Sequence, residues 1–144
     1  MVRVFADTVY WIALLNPRDA LHQKATKTGN AYKADRIVTS EMVSVEVLNT
    51  LCKAGTHQRL AAARAVASLR DRGEVTIYPQ TSQLFASAFK RYQERSDKSW
   101  SLTDCASFVI MEEQQLTSAV THDRHFVQAG SKPSCVSPAP QPLR

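Results

Sequence analysis

A chain of 144 residues with 44% apolar composition holds enough hydrophobic material for one buried core, without need of disulfides or a structural metal. Lys and Arg outnumber Asp and Glu by 18 to 13, a net charge of +5 that favours approach to polyanions such as nucleic acid. Three widely spaced cysteines without a C-x-x-C pair argue against a disulfide framework or zinc knuckle, and the seven-residue apolar run Val9 to Leu15 falls far short of the roughly 20 residues of a membrane span.

Taken in chain order, Arg3 to Ala6 reads as a short buried strand that stops at Asp7, and Thr8 to Leu15 has the apolar density of a helix ended by Asn16-Pro17. Asp19 is placed as the cap of a second helix running to about Gly29. Arg36 to Thr39 is a second strand, and Ser40 opens a helix lined by Val43, Val47, Leu48 and Leu51 that breaks at Gly55. His57 to Arg72 is an Ala- and Arg-rich helix closed by Gly73, Val75 to Tyr78 a third strand, and Thr81 to Glu94 a further helix. Ser101 to Gln114 is helical, Ser118 to Thr121 is a fourth strand, and Asp123 caps the turn after it. From Ser131 four prolines fall within fourteen residues, a tail with room for one last strand near Ser134-Cys-Val136 and expected disorder beyond it. The alternation predicts one α/β domain over residues 1–130, with a mostly parallel sheet covered on both faces and a Pro-rich tail over 131–144.

In such a sheet, ligands bind beyond the carboxyl ends of the strands, where the following helices begin. Asp7 and Asp123 directly follow predicted strands, Asp104 falls in the first turn of its helix, and Glu46 in the second turn of another. Each has a plainer explanation. Asp7 and Asp123 suit helix N-caps, Ser101-Leu-Thr-Asp104 has capping-box spacing, and Glu46 sits off the apolar arc of its helix, as a solvated Glu would. Together, four carboxylates at one crevice would repel one another unless a cation neutralised them, and hard carboxylate oxygens suit a hard ion such as Mg²⁺ rather than zinc. Thr8, Thr121 and Asn49 stand beside these acids or one helical turn away and are candidates to orient them. His122 and His125 flank Asp123 as a His-x-x-His pair, a pattern equally suited to loop polarity or packing; His22 and His57 have less support as ligands. The basic groups Arg64/Arg70/Arg72 and Lys90/Arg91/Arg95/Lys98 read as solvated helix faces, and Cys52 and Cys105 as small hydrophobes. Tyr10, Trp11 and Trp100 suit either an interface or the core.

The segments Phe-Ala-Asp7-Thr-Val-Tyr-Trp, Thr-Ser-Glu-Met-Val-Ser-Val-Glu46-Val-Leu-Asn, Ser-Leu-Thr-Asp104-Cys-Ala-Ser-Phe and Thr-His-Asp123-Arg-His-Phe, in this order, resemble the four acidic motifs of PIN domains. The tract Asp97 to Cys105 and the ending Thr-His-Asp123-Arg-His-Phe-Val-Gln-Ala-Gly resemble the VapC group of toxin ribonucleases in particular. The resemblance spans about Val2 to Gly130 and implies a three-layer α/β/α fold. It also implies a metal-dependent endoribonuclease in which Asp7, Glu46, Asp104 and Asp123 bind Mg²⁺ or Mn²⁺, an RNA substrate, a small antitoxin partner and a homodimer. A cytoplasmic location without membrane attachment is expected. A housekeeping nuclease without antitoxin, or a non-catalytic nucleic-acid-binding module, are the alternatives. A haloacid-dehalogenase-like phosphatase would need a second Asp two positions after Asp7, where Val9 stands.

Overall fold

The computed structural model describes residues 2–121, residue 129 and the backbone of residues 132–134. Strands β1 (Val4–Ala6), β2 (Ile37–Ser40), β3 (Thr76–Tyr78), β4 (Ser118–Val120) and β5 (Lys132–Ser134) form one sheet in the order β3-β2-β1-β4-β5, every pair parallel. Helices α1 (Thr8–Leu15), α2 (His22–Ala31), α3 (Glu41–Leu51), α4 (Thr56–Arg72), α5 (Ser82–Glu94) and α6 (Leu102–Glu113) fill the connections. The chain steps outward from β1 to β2 to β3, then returns over the sheet to lay β4 on the other side of β1. Right-handed crossovers, the rule for parallel strands, send the helices before and after that reversal to opposite faces, the α/β/α layering that the resemblance implies.

The central strands are apolar because both faces are covered. Val4, Phe5 and Ala6 are fully buried, and Phe5 pairs with Val38 on one side and Ala119 on the other. Tyr10, Trp11 and Trp100, which suit a core or an interface on sequence grounds, all belong to the core. Trp11 Nε1 donates to Thr39 Oγ1 at 3.3 Å, and that hydroxyl donates to the Ala6 carbonyl at 3.0 Å, tying α1, β2 and β1 through buried polar atoms.

Two sequence expectations are displaced. The second helix starts at His22 rather than behind Asp19, because the Asp19 carboxylate accepts from the Leu21 N–H and caps only the turn before the helix. The helix also runs through Gly29 instead of ending there: a Cβ at that position would lie 2.8 Å from the Tyr10 hydroxyl, so the glycine serves the contact between α1 and α2. The last strand lies at Lys132–Ser134, ahead of the expected 134–136, and Cys135 and the rest of the tail are outside the described residues. Pro133 speaks against a strand in sequence, but β5 is an outer strand of the described sheet, where a missing N–H costs no ladder bond.

The far side of the sheet is fastened by Glu41, the first residue of α3. Its carboxylate accepts from the Gln80 N–H at 2.7 Å and from Arg70 at 3.0 Å, linking α3 to the end of α4 and to the chain leaving β3. The Gln80 N–H first, then Arg70, hold its pKa below the ordinary 4.5. A depressed carboxylate contributes stability that is present above its unfolded value and lost as pH falls through the folded one. Glu41→Gln is therefore expected to destabilise the protein by about 0.5–1 kcal/mol in urea unfolding at neutral pH, the small size reflecting solvent screening. The difference should shrink toward zero as pH falls through the lowered folded pKa; an undiminished difference in acid would show that the charge is irrelevant.

Candidate active site

The reversal of strand order between β1 and β4 creates the crevice in which this class of sheet binds ligands. Asp7 stands in it. Its N–H donates to the Val120 carbonyl at 3.4 Å, and its Oδ2 accepts from the buried Thr121 hydroxyl at 3.0 Å. Asp7 occupies the N-cap position of α1 with extended backbone, yet its side chain makes no capping hydrogen bond; the carboxylate, 2% exposed, is turned to the end of β4 instead. The plain capping explanation of Asp7 is thereby set aside.

Glu46, in the second turn of α3, is half-buried rather than solvated. Its Oε1 accepts from Thr8 Oγ1 at 2.5 Å, so the residue next to Asp7 carries Glu46 to the same end of the sheet. Thr8 and Thr121 each donate a hydrogen bond to one of these acids. Asn49 is exposed, and its carbonyl accepts from the Cys52 thiol at 3.0 Å, which keeps that cysteine a helix-bound hydrophobe.

Asp104 is capping residue and candidate ligand at once. The Ser101 hydroxyl accepts from the Asp104 N–H, and Asp104 Oδ2 accepts from the Ser101 N–H, both at 3.0 Å, a closed capping box at the start of α6. The side chain remains buried, and α6 packs against α3, so the helices bearing Asp104 and Glu46 are neighbours. A threonine hydroxyl orients the Asp7 carboxylate and a peptide N–H orients that of Asp104. Next along the chain, burial first and then the Asp104 charge push the Cys105 thiol upward, so at neutral pH it stays protonated and unsuited to nucleophilic attack.

Among the described residues, no three acidic, His or Cys side chains are gathered closely enough to hold an ion by themselves. Asp123, the fourth acid of the sequence pattern, lies outside the described residues, as do His122 and His125. His22 Nδ1 lies 2.8 Å from the Ala13 carbonyl in a structural contact, and His57 is exposed. The donor set suits a hard divalent cation: carboxylate oxygens, two of the three groups buried, with hydroxyl and amide donors fixing their orientation.

Because Asn retains the carbonyl oxygen that closes the box, Asp104→Asn should leave α6 capped, whereas Asp104→Ala should cost about 1 kcal/mol more in chemical denaturation. Equal stabilities of the two variants would show that the box contributes nothing.

A model of the PIN domain matches residues 4–132. The chain is 30% identical over 127 residues to the 23S rRNA-specific endonuclease VapC20 of Mycobacterium tuberculosis, which spans 88% of this chain and 94% of that protein. The crystal structure of VapC20, described as a Sarcin-Ricin loop cleaving toxin, superposes with a TM-score of 0.80 at 26% identity over 89% of this chain and 95% of that one. FitAcB from Neisseria gonorrhoeae, at 12% identity over 88% and 92% of the two chains, shares the fold with a TM-score of 0.63. A toxin-antitoxin complex from Klebsiella pneumoniae, at 17% identity over 84% and 87%, does so with a TM-score of 0.59. With its motif order, its strand order and these matches in agreement, the chain belongs to the PIN-domain family, in its VapC group.

Proposed function

We propose that this protein is an endoribonuclease that hydrolyses RNA phosphodiester bonds with the help of Mg²⁺ or Mn²⁺, and that it is the toxin of a toxin–antitoxin pair. The observation that carries the catalytic part is Asp7, a carboxylate buried at the sheet's switch point that leaves its helix uncapped and accepts from Thr121 instead. A carboxylate held at the switch point by a hydroxyl, and not spent on capping its helix, suits a site that receives a cation. Asp7, Glu46, Asp104 and Asp123 are the residues that would hold the ion. When bound, a divalent ion would activate water for attack and offset charge developing on the phosphate. The protein's own part is orientation: Thr121 fixes Asp7, Thr8 fixes Glu46, and the Ser101 N–H fixes Asp104.

The names of the relatives guide the choice of substrate and partner. VapC20 is a 23S rRNA-specific endonuclease, which makes a structured ribosomal RNA loop the first substrate to try. The Klebsiella pneumoniae structure is a toxin-antitoxin complex, in keeping with a small inhibitory protein as partner here. The inhibitor's Arg or Lys, placed beside the acids, would supply the charge that the metal otherwise brings.

Purified protein is expected to cut RNA in Mg²⁺ or Mn²⁺ and to stop in EDTA. Asp7→Asn, Glu46→Gln, Asp104→Asn and Asp123→Asn should each lower the single-turnover rate at least ~10²-fold. Undiminished cleavage in EDTA would overturn the metal-dependent reading. Expression of the chain alone should arrest growth, with rescue by co-expression of a small inhibitory protein encoded beside it and no arrest by Asp7→Asn. A chain that is harmless at high expression and co-purifies with no small protein would leave a nuclease without the toxin role.

A further inference from the structure

The exposed large apolar side chains of α5 fall on one stripe. Phe85, Phe89 and Tyr92, spaced four and three residues apart, are 44%, 45% and 51% exposed, and the Phe85 and Phe89 rings lie 14° from parallel with centroids 6.1 Å apart. At its C-terminal end the stripe runs into a groove of about 480 Å³, lined by Phe89, Tyr92, Arg95, Lys98, Trp100 and Cys105 among others, two of them cations and none of the lining residues acidic. Arg95 is set in place from two sides. Its guanidinium lies 4.9 Å above the Trp100 ring, and it donates to both carboxylate oxygens of Asp97 at 3.0 and 3.1 Å.

The groove adjoins the candidate active site through the covalent chain. Trp100 forms part of its wall, Ser101 closes the capping box on Asp104, and Cys105, the next residue, returns to the wall. Asp104 is therefore held between two residues that face the groove, and whatever lies in the groove lies beside the first turn of α6.

We propose that this groove and the aromatic stripe leading into it form a binding track for single-stranded RNA flanking the scissile bond, with bases stacking on Phe89 and Tyr92 and the backbone phosphates drawn to Lys98 and Arg95. The inference rests on the nuclease reading for its purpose but not for its chemistry. Aromatic faces accept any base, and adjacent cations favour a polyanion over an apolar protein surface. The volume lies in the range of pockets that take small organic groups such as a nucleoside.

The test is fluorescence anisotropy with a labelled single-stranded RNA, in EDTA so that binding is read apart from turnover. Wild type is to be compared with Phe89→Ala, Tyr92→Ala, Tyr92→Phe and Lys98→Gln, each checked for an unchanged melting curve. Loss of one stacking ring should weaken binding about fivefold or more, Tyr92→Phe should retain it, and Lys98→Gln should lower the salt dependence by about one counterion. Unchanged affinity in both alanine variants overturns the proposal. So does an alanine variant that only converts a dimer to a monomer in light scattering, since the stripe would then be a surface for a second copy. Wild type that cuts RNA in Mg²⁺ while the variants bind and cut equally well removes the track and keeps the nuclease. Weakened binding by the variants of a wild type that never cuts RNA keeps the track and removes the nuclease.

Discussion

Strands β1 and β4 come from opposite arms of the chain, and Asp7 joins their carboxyl ends with both its backbone and its side chain. The N–H bonds to the Val120 carbonyl and the carboxylate receives the Thr121 hydroxyl. Most other features of the site follow from that placement. With Asp7 fixed, α1 must start at Thr8, and Thr8 is then in position to donate to Glu46 from α3. One central strand end thereby determines where two acids from distant sequence positions stand. The arrangement asks little of the backbone: among the described residues there are no cis peptides, and the only non-glycine residue with positive φ is Gln115, beyond the end of α6 and away from these acids.

The acids illustrate two ways in which a carboxylate at a helix start can be used. Asp104 closes a capping box, so part of its burial is repaid by the helix it begins. Asp7, at the N-cap of α1, makes no such capping bond, since its oxygen points across to β4. The Asp7 carboxylate thus serves the junction of β1 and β4 rather than the helix that it precedes. Two of the helix cations behave as solvated charges should: Arg70 pairs with Glu41 and Arg91 with Glu112.

The sheet was legible because its short strands are apolar runs between helices with clear stops, such as Gly73, which ends α4 in the left-handed region at φ 68°. The position of β5 was not, since a proline-rich segment looks like a tail until an outer strand gives its proline a harmless place. Nor could sequence separate capping from ligation at Asp7 and Asp104. An Asp at the N-cap and an Asp at the third helical position both suit capping, and only the direction of the side chain shows that Asp104 caps its helix and Asp7 does not. The α5 stripe was hidden for a related reason: Phe85, Phe89 and Tyr92 have the spacing of an ordinary core face, and their exposure is visible only once the helix is packed.

The central claim is that Asp7 is buried for the sake of a cation rather than for the fold. The direct measurement is thermal unfolding of wild type and Asp7→Asn, each with EDTA and with saturating Mn²⁺. Ligand linkage requires Mn²⁺ to raise the wild-type Tm if the folded site binds it. On this account Asp7→Asn melts no lower than wild type in EDTA, because a buried charge has been removed, and gains little from Mn²⁺. An Asp7→Asn protein that melts well below wild type in EDTA and responds to Mn²⁺ as wild type does would contradict it, and would make Asp7 a structural link between β1 and β4.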